Sequence, residues 1–221
     1  MMMNLFSSFD PSTSNNLSLN WYSIIMCILF LPLSFWLLPS RINFLWIYIN
    51  LTLNKEMKTI INMNSLMLMM ISLFTSIFLM NMLALMPYFF SMTSHLILTL
   101  SFSLPMWMSF MIYGWMNNYI YMFAHLVPMN TPMILIPFMI CIETISNIIR
   151  PMTLAIRLTA NMIAGHLILT LIGNLSSNLN FLPLSLLIIV QLIFMSLELM
   201  VCMIQAYVFT TLMTLYSSEI Y

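Results

Sequence analysis

The sequence predicts an all-α integral membrane protein. It should have about five membrane-embedded helices and one amphipathic surface helix, with the last two embedded helices forming a long, steeply tilted hairpin. Three observations carry this. Hydrophobic residues make up 62% of the 221 positions and charged residues only 5%, where soluble domains carry roughly a quarter charged residues. Uncharged apolar runs of about twenty residues, the length that crosses a bilayer core, recur along the chain. The last two runs are about twice that length.

The elements follow in order. Residues 21–38 are uncharged and form the first expected span, with Pro32 near its middle. Residues 41–62 differ in kind. Leu45, Ile49, Leu53 and Met57 make an i, i+4 apolar stripe beside Asn50, Asn54, Lys58 and Asn62, with Lys55 and Glu56 alongside. That pattern suits a helix lying on the membrane surface. Residues 66–90 form the second span, closed by Pro87, and residues 96–116 the third, containing Pro105. A proline-punctuated loop is expected over 125–132.

Residues 133–173 and 181–216 are too long to stand upright. The first would extend about 61 Å as a helix at a rise of about 1.5 Å per residue, against the roughly 30 Å of a perpendicular span. Pro151 offers a break, but only Arg150 stands beside it to build a polar turn, and the second segment has only Pro183, at its start. Two long tilted helices joined through 174–180 are therefore expected, within a single domain.

Arg41, Lys55 and Lys58 all lie between the first two spans. The positive-inside bias puts that segment on the cytoplasmic or matrix side, which places the N-terminus and the 174–180 turn outside and the C-terminus inside. No Lys or Arg precedes Arg41, which argues against a secretory signal and an Arg-rich transit peptide. Together with 27 Met and only three Gly, the signature of AU-rich codons, this points to synthesis inside an organelle.

Five basic and five acidic residues are too few and too balanced for a nucleic-acid partner. Cys27, Cys141 and Cys202 sit in apolar runs without pairing or metal-ligand spacing, and read as small buried apolar residues. His95 and His125 fall at a turn and in the proline-rich loop, as surface or capping residues. The histidines do not pair on facing helices, so no haem site is expected. No phosphate loop, nucleophile triad or thiolate metal site is present; the chain is expected to have no cofactor and no catalytic centre of its own.

Charges inside the last two helices carry the chemistry, because intramembrane ionisable groups are costly and usually mark ion pathways or internal pairs. Glu143, Asn147, Arg150, Arg157 and Asn161 recur at helical spacing on one face, and Gln191, Glu198 and Gln205 recur every seven residues on another. Ala155, Ala160, Ala164 and Gly165 crowd around Arg157, and small residues admit another helix at short range. Arg157 stays charged and is a poor proton carrier, but it would favour ionisation of a partner's carboxylate. Such a pair at about 4 Å is worth about 4 kcal/mol, against about 2.3 kcal/mol per charge per 100 mV of membrane potential, so water must lie between. Glu198 and His166 are titratable relays, and Gln205 can orient water. His166 lies on the face opposite Arg157 of an ideal helix. A proton-coupled secondary carrier and a scaffold with internally paired charges are the alternatives; the first predicts inverted repeats and a midplane substrate pocket.

These residues resemble a known family. Thr153-Leu-Ala-Ile-Arg157-Leu-Thr-Ala-Asn161-Met-Ile-Ala-Gly165-His166-Leu is similar to the signature of subunit a of F-type ATP synthases, mitochondrial form. Phe123-Ala-His-Leu-Val-Pro128, Ile142-Glu143-Thr-Ile-Ser-Asn147-Ile-Ile-Arg150-Pro151 and Ile204-Gln205-Ala-Tyr-Val-Phe209 match too. The resemblance implies a non-catalytic, proton-translocating stator subunit of the mitochondrial inner membrane, partnered by a ring of c subunits and other stator subunits. It implies that Arg157 faces the ring and separates two half-channels. His166 and Glu198 would belong to the one from the intermembrane space and Glu143 to the matrix one, with Asn161 and Gln205 near the Arg. Asn147, Arg150 and Gln191 are expected to support this polar seam.

Overall fold

The computed structural model describes residues 5–14, 17–32, 35–61, 63–127, 132–176 and 180–220. Among them the chain is helical and contains no strand. The helices are α1 (Ser23–Leu29), α2 (Arg41–Ile60), α3 (Asn64–Ala84), α4 (Leu96–Asn117), α5 (Tyr119–His125), α6 (Ile136–Ser176) and α7 (Phe181–Ile220). Four are long and apolar enough to cross a membrane: α3, α4, α6 with the turn before it, and α7.

The first expected span differs. Helical backbone covers only Leu19–Leu29, too short at about 1.5 Å per residue for a core of about 30 Å. Pro32 explains the stop, since proline removes a backbone donor and disfavours helical geometry at the residue before it. Residues 33–34, within that span, lie outside the described residues, as do 128–131 of the loop and 177–179 of the turn. α5 fills the stretch before the expected loop and reaches its first residue, His125.

α6 has 41 residues and runs unbroken through Pro151; α7 has 40. They pack on each other as the long hairpin expected from sequence, with α4 against α6 and α3 against α7. Phe74 and Ile77 of α3, Phe110 of α4, Leu158 of α6 and Phe209 and Met213 of α7 meet in the main core. The outward faces stay apolar: Ile145, Ile149 and Ile156 of α6 and Leu186, Ile189 and Ile193 of α7 are exposed. A helix apolar all round belongs in lipid or within a larger assembly. Many hydroxyls within the helices bond back to the preceding turn, as Ser72 does to the Met69 carbonyl at 2.7 Å and Ser196 to that of Ile193 at 2.7 Å, and these bring no unsatisfied donor into that environment; Ser103 of α4 is an exception, its hydroxyl buried without a protein partner.

α2 buries part of its predicted stripe. Leu53 and Met57 are buried, but Leu45 and Ile49 are exposed, and the first half of the helix turns Trp46 inward, 6.1 Å from the Phe78 ring. The turn after α3 passes through Tyr88 at φ 69°, a left-handed conformation uncommon outside glycine. His95 stands at the N-cap of α4. Its ring packs between Trp21 and Phe90, at centroid distances of 5.3 and 5.2 Å. All three cysteines are free; Cys27 and Cys202 are buried as expected, whereas Cys141 is exposed.

Candidate functional site

The polar residues of α6 and α7 meet at three levels along the hairpin. At its middle, the Gln205 side-chain amide donates to the Arg157 backbone carbonyl at 3.1 Å. The heptad spacing puts Gln191, Glu198 and Gln205 on one face, drifting only about 20° per repeat, and Gln205 is buried against α6. The Arg157 side chain turns outward, beside exposed Ala160, Asn161 and Ala164. Among the described residues, both ion pairs within 4 Å belong to Arg150 and neither to Arg157.

Toward the 177–179 connection, Glu198 and His166 share a cavity of about 260 Å³ with Asn161 and Gly165. Sequence alone put His166 opposite Arg157, and on an ideal helix Gly165 lies between them, about 80° from the one and about 100° from the other. Glycine is the centre of the arrangement. A Cβ at 165 would lie 2.5 Å from Glu198 Oε1, so the bare backbone makes room for the carboxylate, and the cavity wraps round it to reach His166. Both Glu198 oxygens and His166 Nε2 are buried without a protein hydrogen bond. Buried polar atoms require partners, and this cavity greatly exceeds the roughly 30 Å³ share of one water. His166 also lines a second, larger cavity of about 660 Å³, together with Gln191.

Toward the other end, Asn147, Arg150 and His125 line a separate cavity of about 260 Å³. Arg150 donates to Glu219 of α7 at 2.7 Å, stands 3.8 Å from Glu143, and lies over the Tyr216 ring at 5.1 Å. Between the two groups of cavities, Arg157 and Gln205 border a crevice of only about 10 Å³, at the lower limit for holding one water.

The sequence-predicted residues thus divide. Gln191, His166, Glu198 and Asn161 gather on one side of Arg157, and Glu143, Asn147 and Arg150 on the other, so the supporting seam is two separate groups. The small residues divide too. Ala160 and Ala164 are exposed beside Arg157, Gly165 is occupied by Glu198, and Ala155 is 0% exposed within the chain.

A family model described as the ATP synthase A chain matches residues 17–218. The chain belongs to that family. It is similar over the whole of both chains to ATP synthase subunit a of Drosophila yakuba, 56% identical over 223 residues, and of Anopheles quadrimaculatus, 57% identical over 225. That of Locusta migratoria is 56% identical over 225 residues, again with both chains fully covered. As a member of the ATP synthase A chain family it is a proton-translocating subunit of the membrane sector, not the catalytic subunit, and a multi-pass inner-membrane protein.

Within this family framework, two charged residues join the cavities without having been singled out from sequence as site residues. Glu219 reaches Arg150 from the last turn of α7, and Asp10 borders the cavity of about 660 Å³ from the N-terminal segment. Glu219 falls two heptads beyond Gln205, on the face of Gln191, Glu198 and Gln205, a continuation the sequence offered; Asp10 lies outside the long helices, where no helical periodicity ties it to the polar faces.

Proposed function

We propose that this subunit carries protons through two half-channels that meet at Arg157 and that couple proton flow to rotation of a ring of c subunits. The observation that carries this reading is the division of the cavities: roomy, largely apolar spaces that titratable and amide side chains border lie on either side of Arg157, and a crevice of about 10 Å³ lies beside it. A proton arrives by Gln191 and His166, passes to Glu198, and neutralises a carboxylate of the ring. After the ring has turned, the proton leaves toward Glu143, Asn147 and Arg150. Arg157 keeps the passing carboxylate ionised at the gap and blocks direct passage, because its guanidinium does not give up its own proton.

The exposed face of Arg157, Ala160, Asn161 and Ala164 is the surface that meets the ring, since small side chains allow close approach. Other stator subunits and lipid cover the remaining apolar faces. Arg41, Lys55 and Lys58 face the matrix, so the N-terminus and the cavity at His166 face the intermembrane space and the Arg150–Glu219 end faces the matrix. α6 and α7 cross at a steep tilt because each is about twice the length of an upright span. Synthesis within the organelle accords with the codon-biased composition. A scaffold with internally paired charges is disfavoured by Glu198, whose two oxygens have no protein partner.

The test is Arg157→Ala in the assembled, reconstituted synthase. Proton-driven ATP synthesis is expected to vanish and the membrane to leak protons; normal coupling would overturn the reading. Arg157→Lys should hold protons less tightly, because a buried Lys can deprotonate.

A further inference from the structure

The cavity of about 660 Å³ lies between the N-terminal segment and the α6–α7 hairpin. Asp10, Ser12 and Asn20 border it on one side, and His166 and Gln191 on the other. The N-terminal helical turn Leu5–Phe9 packs on α6, with the Phe9 ring edge-on to His166 at a centroid distance of 6.3 Å. Asp10 follows directly and is fastened in place. Its N–H donates to the Ser7 carbonyl at 3.3 Å, its Oδ1 accepts from the Ser12 N–H at 3.1 Å, and its carbonyl accepts from the Asn20 amide at 3.2 Å. Asp10 is the only carboxylate residue before Glu56. A carboxylate and an imidazole on different elements thus open into one space large enough for many waters.

We propose that Asp10 is the outermost proton-relaying group of this subunit, taking protons from the outer aqueous phase and passing them through cavity water to His166. The inference rests on the function proposed above, because it needs His166 to lie on a proton path. In the relay a hydronium ion gives its proton to the Asp10 carboxylate. The carboxyl group returns that proton to a cavity water, which yields it to the unprotonated ring nitrogen of His166. Asp10 ends as a carboxylate, so the relay consumes nothing. The Ser12 hydrogen bond holds the Asp10 carboxyl below the usual carboxylate range, so it stays ionised near neutrality and attracts cations to the cavity mouth. Tyr88 is the other titratable side chain that borders the cavity.

The experiment uses the assembled synthase in proteoliposomes with dilute buffer on the side that faces the N-terminus. Asp10→Asn keeps the oxygen that accepts from Ser12 but cannot carry a proton. Its rate of proton-driven ATP synthesis, per assembled complex, is expected to fall roughly tenfold, the lower end of the gain from a charged cleft. Concentrated mobile buffer on the same side, or Asp10→Glu, is expected to restore it, which a merely structural role would not allow. A native rate in dilute buffer, or a loss that neither buffer nor Asp10→Glu restores, overturns the proposal. If Arg157→Ala still abolishes synthesis in those cases, only the relay falls; if Arg157→Ala couples normally, the half-channel reading falls with it.

Discussion

The side chain of Glu198 occupies the place that a Cβ on residue 165 would take: an ideal Cβ there lies 2.5 Å from its Oε1 and 2.8 Å from its carboxyl carbon. One glycine on α6 therefore sets where the carboxylate of α7 sits, and with it the reach between Glu198 and His166.

Gly165→Ala is expected to leave the chain folded, because the crowded atoms end a flexible side chain and can swing aside for about 1 kcal/mol. The displaced carboxylate should slow proton-driven ATP synthesis roughly tenfold, since misplacements of about 1 Å have effects of that order or larger. Rates per assembled complex in reconstituted membranes check this. A native rate would mean that α6 does not position Glu198.

Ala155 and Ala160 stand five residues apart and should answer oppositely to the same change. Ala155 is 0% exposed, so Ala155→Leu overpacks the interior, at a cost of about 1–3 kcal/mol, and lowers the melting temperature of the solubilised membrane sector. Ala160 is exposed beside Arg157. Ala160→Leu should leave that melting temperature unchanged while reducing co-purification with the c-ring. Equal behaviour of the two variants would remove the distinction between an inner and an outer small residue.

Arg150, about a third of the way along α6, joins Glu219 at the end of α7 at 2.7 Å, with side chains 29% and 43% exposed. Solvent screening at that exposure limits the pair to about 0.2–1 kcal/mol. A double-mutant cycle of Arg150→Ala and Glu219→Gln, read by thermal unfolding, should return a coupling within that range that shrinks in high salt. A much larger, salt-insensitive coupling would show that a neighbour in the complex shields the pair from water.

Helix faces were legible before the fold. Gln191, Glu198 and Gln205 share a face because seven residues are close to two turns, and that holds whatever packs against the helix. The long hairpin was legible from length and the scarcity of breakers. Less legible were contacts that depend on how helices dock. The α2 stripe held at Leu53 and Met57 but not at Leu45 and Ile49, where Trp46 turns inward to meet Phe78 of α3 instead. His95 stands at the N-cap of α4 as its turn position suggested, yet its ring packs on Trp21 from a distant segment and on Phe90 five residues before it. The first span stops early because a proline penalty that a long apolar run seemed able to absorb ends the helix before Pro32.

By itself the sequence determined that this is a helical membrane protein, that its last two helices are too long to stand upright, and that Arg157 sits on a polar face. Those properties follow from composition and from spacing along one chain segment. Tertiary structure alone decided that the polar residues form separate cavities on either side of Arg157, that Gly165 serves Glu198 while Ala160 faces outward, and that Asp10 and Glu219 come from near the chain ends to meet them. The physical reason is sequence distance. The Gln205–Arg157 and Arg150–Glu219 contacts join residues 48 and 69 positions apart, and helical periodicity says which way a side chain points on its own axis but not what stands opposite it.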